Sequence, residues 1–251
     1  MEYRLKKSLG QHFLHDDHMC RKIVAALEPY AFERLAEVGP GGGALTRYLL
    51  QWPGIDFKAI EIDDEKVAWL LRTYPALQGR LVHESVLDTA PPFEAPFALI
   101  GNFPYNISTE IVFKIIEWKA LVQVMVGMFQ KEVAQRLAAP PGSKVYGVTS
   151  VLTQAFFEVK YLFDVPPGCF TPPPKVMSGV ISLTPLVQPP AMRSEVHFKR
   201  LVKAAFNQRR KQLRNAVRPL FSAEELQDPL FNQRAEQLSV ADFAALTYRM
   251  L

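Results

Sequence analysis

Ile100-Gly101-Asn102-Phe103-Pro104-Tyr105-Asn106 gathers in one stretch the residue types that suit a planar base with an exocyclic amino group. The Asn102 side-chain oxygen and carbonyls near Pro104 can accept two N–H protons, and the Tyr105 ring offers a flat face for stacking. Pro104 removes a backbone donor and disfavours the helical region for Phe103, so the chain should leave this point extended. Taken alone, Asn-x-Pro-Tyr reads more often as a strand end followed by a proline turn. The surrounding elements decide.

Those elements alternate. Phe97 to Ile100 is an apolar run that reads as a buried parallel strand stopping at Gly101. Upstream, the strand Leu35–Val38 runs into Gly39-Pro40-Gly41-Gly42-Gly43-Ala44, and a helix follows from Leu45 to about Gln51. Glycines between a strand and a helix let a ligand approach the backbone closely. The strand Phe57–Ile60 ends at Glu61, 22 residues beyond Gly39. An acid near that spacing typically binds ribose hydroxyls, so the pattern points to a nucleoside cofactor. The loop also satisfies G-x-G-x-x-A, which leaves a dinucleotide open.

Further along, a helix opens at Asp63-Asp64-Glu65 with Val67, Leu70 and Leu71 inward, and Leu81–Leu87 forms a third strand with its exit loop. Helices over 106–118, 130–137 and 148–155 and strands over 122–128, 157–163 and 176–183 complete the alternation, which implies a largely parallel α/β sheet. The proline-dense loop Val165–Lys175 could hold Phe170 stiffly at a site rim, although by itself it reads more readily as an ordinary proline-rich connector with a buried Phe. His12, His15, His18 and Cys20 lie close together, but they lack the paired, separated spacing of a metal module and acids intervene. Solvated histidines at a helix start are expected there, and no metal.

The 251 residues suffice for one large and one small domain, and 49% apolar content supports a real core. No apolar run approaches a membrane span of about 20 residues, the N-terminus lacks a signal-peptide core, and two cysteines imply no disulfide framework. A soluble cytoplasmic monomer is the expectation. The charge is unevenly placed. From Gln188 to Leu251, eleven Lys and Arg stand against six Asp and Glu, leaving eighteen against nineteen elsewhere. Phe198 to Leu220 holds eight of these cations and no acid. At about 100° per residue, Lys199, Lys203, Arg210, Arg214 and Arg218 share one side and Leu201, Val202, Phe206, Leu213 and Val217 the other. Arg209 falls in the apolar stripe, which suggests a break near Asn207. Such a face suits phosphates. The domains are placed at 1–187 and 188–251, with Pro185–Pro190 as linker.

Six stretches together resemble the small-subunit ribosomal RNA adenine dimethyltransferases of the KsgA/RsmA type. They are Leu9–Leu14, Glu37–Gly43, Gly101–Ser108, Phe129–Val133, Phe170–Val176 and Ala205–Lys211, and the likeness extends across nearly the whole chain. The resemblance implies a Rossmann-like S-adenosylmethionine-dependent domain with a small all-helical C-terminal domain. It implies S-adenosyl-L-methionine as cofactor, S-adenosyl-L-homocysteine as product and 16S rRNA of the small ribosomal subunit as partner. It places His12 and Leu14 over the cofactor, Gly39 and Gly41 beneath it, Glu61 on its ribose, and Asn102 between cofactor and base. Asn102, Pro104 and Tyr105 would hold the target adenine, with Phe170 on its other face. Lys203, Arg209, Arg210, Lys211 and Arg214 would bind RNA. Two departures stand out: His12 where many relatives have Asn, and Glu84-Ser85 where the family usually has Asp. Ser85, Glu84 or Asp88 would then meet the cofactor adenine.

Three other readings compete. A large-subunit adenine methyltransferase of the Erm type shares the Asn-x-Pro-Tyr site, although Gln130-Lys131-Glu132, Tyr146-Gly147 and Asn207–Lys211 favour the small-subunit type. A dinucleotide-dependent oxidoreductase would use the glycine loop but leaves Asn102–Tyr105 and the basic tail without a role. A non-catalytic ribosome-assembly factor would keep the cofactor loop without methyl transfer.

Overall fold

The computed structural model describes residues 12–251. Its centre is a seven-stranded sheet built from β2 (Arg34–Val38), β3 (Asp56–Glu61), β4 (Leu81–His83), β5 (Phe97–Asn102), β6 (Val122–Gln130), β7 (Phe157–Val165) and β9 (Ser178–Pro185). The strand order is β4-β3-β2-β5-β6-β9-β7. β2 through β6 run parallel and β9 joins β6 antiparallel, so the sheet is mixed. The first two steps from β2 go one way, to β3 and β4; the chain then returns to place β5 on the other side of β2. That reversal opens a crevice at the carboxyl ends of β2 and β5, where open α/β sheets bind ligands.

The interior strands form where apolar runs allow burial on both faces. Leu35, Ala36, Ala98, Leu99, Ile100, Met125 and Val126 are fully buried. The strand expected to stop at Ile100 continues through Gly101 and Asn102, because both residues pair with Gly127 and Met128 of β6. Asn102 is thereby carried on the last rung of a strand instead of in a loop.

Helices α1 (Asp17–Ala25), α2 (Thr46–Leu49), α3 (Asp64–Thr73), α4 (Ser108–Glu117) and α5 (Lys131–Leu137) alternate with the strands. Asp16 caps α1 through the Met19 N–H, and Asp63 caps α3 through the Glu65 and Lys66 N–H groups. Cys20 and Ile23 are fully buried, so Cys20 belongs to the core. The inward face of α3 differs from the expected one: Leu70 is buried with Lys66, while Val67 and Leu71 are half-buried. A second, two-stranded sheet pairs β1 (Phe13–Leu14) with β8 (Phe170–Thr171), antiparallel.

The chain divides into two compact units, and the division is not a single break at 187/188. One unit comprises the described chain up to Ala134 with Glu158–Pro185; the other comprises Gln135–Phe157 with Leu186–Leu251. In the second unit the regular elements are helical: α6 (Val148–Gln154), α7 (Glu195–Asn207), α8 (Leu213–Val217), α9 (Val240–Leu246) and short 3-10 turns. Tyr146 meets Phe206 edge-on, Phe206 lies against Phe243, and Phe221 meets Phe231 at 4.9 Å. Ser194 and Ser239 cap α7 and α9. The basic stretch 198–220 is two helices, since α7 ends at Asn207 and α8 begins at Leu213.

Candidate active site

A cavity of about 310 Å³ lies over the carboxyl ends of the strands in the first unit. Its walls come from the ends of four strands and the turns that follow them: Val38–Gly42 at β2, Glu61 and Ile62 at β3, Glu84–Leu87 after β4, and Asn102–Ile107 at β5. His12, Phe13 and Leu14 close a further side.

The glycine loop is shaped for a ligand. Gly39 and Gly41 have φ of 67° and 55°, in the left-handed region that strains other residues. A Cβ at Gly39 would project into open space, with no protein atom within 4 Å. The phenyl ring of Phe13 rests 3.6 Å from where a Gly41 side chain would begin. Glu61, only 5% exposed, accepts the Gly41 N–H on one carboxylate oxygen and the Ile62 and Asp63 N–H groups on the other. These bonds fix the carboxylate at the wall and leave lone-pair capacity for a ribose hydroxyl on the oxygen that accepts from Gly41. A nucleoside cofactor with a ribose fits this donor set and this glycine cradle.

Opposite the loop, the Asn102 Nδ2 donates to the His12 carbonyl at 3.3 Å. A carbonyl can only accept, so this bond fixes the amide orientation and leaves Oδ1 as an acceptor at the cavity wall. The Pro104 carbonyl accepts only a long bond from the Ile107 N–H, at 3.3 Å. Tyr105 stands beside them with its hydroxyl 2.5 Å from Ser178 Oγ. Burial raises the Tyr105 hydroxyl pKa above its ordinary value, and the bond to Ser178 works against that shift. The His12 ring lies 5.5 Å from the Tyr105 ring, and its Nδ1 donates to the Pro172 carbonyl at 2.9 Å.

The structure therefore brings His12, Leu14, Gly39, Gly41, Glu61, Ser85, Asn102, Pro104 and Tyr105 to one cavity. Glu84 also lines it, and Asp88 is outside its wall. Phe170 does not fit its expected place. It is 2% exposed, in the core, and it pairs with Leu14 so that both side chains point inward while Thr171 faces out. Phe170 is packed with the Leu14 segment in the core and is not among the residues that line the cavity.

Several wall residues had no site role in the sequence reading, and four of them bear on the chemistry of the cavity. Ile62, 56% exposed, is an apolar surface beside Glu61. Phe13 covers the glycine loop. Lys66 is 8% exposed, with its ammonium 5.4 Å from the Phe13 ring centre. Glu37 is buried at the cavity floor and accepts the Thr46 hydroxyl at 2.6 Å. Burial pushes its carboxyl up to about 8, the Thr46 bond opposes this, and the charge of Glu61 adds to it. Glu37 opens the glycine motif, and that position was the available signal. Nothing in the pattern marks Lys66, which meets Phe13 of a distant segment. Among the described residues no group of three or more His, Cys, Asp or Glu is arranged to hold a metal ion.

The cations of the second unit differ in availability. Lys203, Arg210 and Lys211 are exposed. Arg209 is engaged: its Nε donates to Glu236 at 2.7 Å and its Nη2 to the Lys144 carbonyl. Arg214 is half-buried and donates to Asn232.

Comparison with known proteins decides the family. The profile of the "Ribosomal RNA adenine dimethylase" family matches residues 2–250. The chain belongs to this family. It is thus an enzyme that methylates ribosomal RNA adenine, and the oxidoreductase and non-catalytic readings fall away. "Ribosomal RNA small subunit methyltransferase A" of Cytophaga hutchinsonii is 47% identical over 97% of this chain and 96% of its own length. The protein of the same name from Porphyromonas gingivalis is 43% identical, over 98% of both chains. Among solved structures, a dimethyladenosine transferase from Plasmodium falciparum has a TM-score of 0.78 at 24% identity, covering 92% of this chain and 94% of that one. The 23S rRNA methyltransferase ErmE has a TM-score of 0.71 at 20% identity, covering 95% and 99%. These likenesses show the fold: the dimethylase family has a Rossmann-like methyltransferase sheet with a helical C-terminal part.

Proposed function

We propose that this dimethylase transfers methyl groups from S-adenosylmethionine to the exocyclic amino nitrogens of two adjacent adenosines. The target is a loop near the 3' end of 16S rRNA in the small ribosomal subunit, and the modification belongs to ribosome biogenesis. The observation that carries the reading is the Asn102 amide, fixed by the His12 carbonyl so that Oδ1 is an acceptor in the same cavity as the glycine loop and Glu61. The choice of small over large subunit is supported by relatives of 43–47% identity that carry the small-subunit name over nearly their whole length.

S-adenosylmethionine, when bound, supplies an electrophilic methyl group on a cationic sulfur. Gly39 and Gly41 would lie beneath it, His12 and Leu14 over it, Glu61 on its ribose hydroxyls, and Ser85 or Glu84 at its adenine end. The amino nitrogen of the target adenine is a poor nucleophile because its lone pair is delocalised into the ring. In the first transfer Asn102 Oδ1 and the Pro104 carbonyl would accept hydrogen bonds from its two N–H groups, which favours the pyramidal nitrogen of the transition state over the planar ground state. One proton leaves to solvent as the methyl is gained, and the single N–H that remains would be held the same way for the second transfer. Tyr105 stacks on the base and orients the nitrogen, so most of the acceleration comes from positioning, with no nucleophilic side chain or metal. A paired base cannot reach this wall, so the adenine is unpaired or flipped out. Lys203, Arg210 and Lys211 of the second unit contact RNA phosphates. Among the described residues no helix is long and apolar enough to cross a membrane.

The test is to digest small-subunit RNA after reaction and identify the modified nucleosides by mass. Two neighbouring N6,N6-dimethyladenosines per subunit are expected. Methyl groups on another base, or dimethyladenosine only when large-subunit RNA is supplied, would overturn the assignment.

A further inference from the structure

We propose that Ser178 is a positioning residue for methyl transfer: its hydroxyl pins the Tyr105 phenol and so fixes the plane on which the target base stacks. This inference rests on the reading of Tyr105 as the stacking face. Tyr105 begins a three-residue 3-10 turn, Tyr105–Ile107, whose backbone holds it loosely. The local bonds there are the 3.3 Å contact from the Ile107 N–H to the Pro104 carbonyl and the Ser108 hydroxyl bond to the Tyr105 carbonyl, 3.1 Å. Both act on the main chain. Neither restrains the two side-chain torsions that set the ring plane.

The far end of the ring is held differently. The Tyr105 hydroxyl is 2.5 Å from Ser178 Oγ, at the short end of O–H···O bonds, across 73 residues of sequence. Ser178 is fully buried and opens β9, where it pairs with Gln130 of β6. Its neighbour Met177 accepts the Lys131 N–H at 2.9 Å. The anchor therefore sits on the sheet, while the ring it holds sits on a turn. A bond at the para position fixes the first ring torsion directly, because rotation about it swings the hydroxyl away from Ser178. Rotation about the second leaves the oxygen on its axis and is restrained through the preference of a phenol hydrogen bond for the ring plane. Serine suits the task because either hydroxyl can donate, so the buried pair is satisfied without placing a charge beside the cavity. A misplaced ring would carry the amino nitrogen away from the line of transfer, where small displacements cost much of the rate.

The experiment compares full-length wild type with Ser178→Ala, Ser178→Thr, Tyr105→Phe, the Ser178→Ala/Tyr105→Phe double variant and Tyr105→Ala. Single-turnover methyl transfer to small ribosomal subunits, S-adenosylmethionine affinity, apparent RNA affinity and thermal melting are measured for each. Ser178→Ala and Tyr105→Phe should each slow transfer about tenfold, and the double variant should be no slower than either, because both remove the same bond. Cofactor and RNA affinities should stay within about twofold of wild type, and Ser178→Thr, which keeps the hydroxyl, should recover most of the rate. Additive losses in the double variant, or a loss of cofactor affinity that parallels the rate, would overturn the positioning role. A wild-type rate for Ser178→Ala beside an inactive Tyr105→Ala would overturn it while leaving Tyr105 as the stacking face. A wild-type rate for Tyr105→Ala would instead overturn the stacking reading itself.

Discussion

Glu37 shows how a single residue can couple the cavity to stability. Its carboxyl is buried, accepts the Thr46 hydroxyl, and is pushed from 4.5 to about 8 mainly by burial. The folded protein therefore holds a proton on Glu37 that the unfolded chain has released between about pH 4.5 and 8. The native state binds more protons in that window, so this contribution falls as pH rises through it and is lost above the folded value. Glu37→Gln, which keeps an acceptor for Thr46, should flatten the decline. The melting temperature of wild type, relative to the variant, should drop between pH 5 and 8.5; parallel curves for the two would contradict the assignment. The residues legible in the sequence were those whose role follows from local pattern: Gly39 and Gly41 in a strand-to-helix turn, Glu61 at a strand end, Asn102 and Tyr105 around a proline. Phe170 was legible only in part: the proline-rich loop alone favoured a buried ring, while the pairing with Leu14 that accompanies its burial joins segments too far apart for a local pattern to show.

At the scale of elements, the Asn102–Tyr105 turn is seated by Phe103, which is buried and meets Phe129 edge-on at 5.0 Å. The ring fits because two neighbouring strands lack side chains beneath it. A Cβ on Gly101 would lie 2.5 Å from the Phe103 ring, and one on Gly127 would overlap it outright. Gly127→Ala should therefore displace Phe103, costing about 1–3 kcal/mol of stability, and slow methyl transfer through the neighbouring Asn102. A denaturant titration and a single-turnover rate check both; an unchanged rate would show that the turn is seated by something else. The largely parallel α/β class and most element positions followed from alternating apolar runs and turn residues, whereas the strand order and the antiparallel entry of β9 come from the structure. The end of α7 was foreshadowed by Arg209, which would have been buried had the helix continued. Its guanidinium instead turns to Glu236 and the Lys144 carbonyl. The pairing of Phe13–Leu14 with Phe170–Thr171 was not legible, because two-residue strands are too short to show a period.

For the whole molecule, the division into units was only partly readable. The break near Pro185 carries a proline-rich linker, whereas the crossings at 134/135 and 157/158 fall inside α5 and at the start of β7, where composition gives no sign of a boundary. The placement of cations in the second unit separates two kinds of arginine. Neutralising Arg210 and Lys211 together should weaken RNA binding and lower the slope of log affinity against log salt by about one to two units. Neutralising Arg209 should leave that slope unchanged and lower the melting temperature by about 2–6 °C, because its partners are Glu236 and main-chain carbonyls. Filter binding over a salt series distinguishes them, and equal slopes for all variants would remove the basic face from RNA recognition.

The central claim is that Asn102 acts on the target base and not chiefly on the cofactor. It is tested most directly by one comparison of Asn102→Ala with wild type: single-turnover methyl transfer to small subunits, with S-adenosylmethionine affinity measured on the same preparations. Transfer should slow by about 100-fold or more, as on losing a preorganised transition-state partner, while cofactor affinity stays within about threefold. Loss of cofactor binding, or a transfer rate close to wild type, would contradict the role assigned to the Asn102 oxygen.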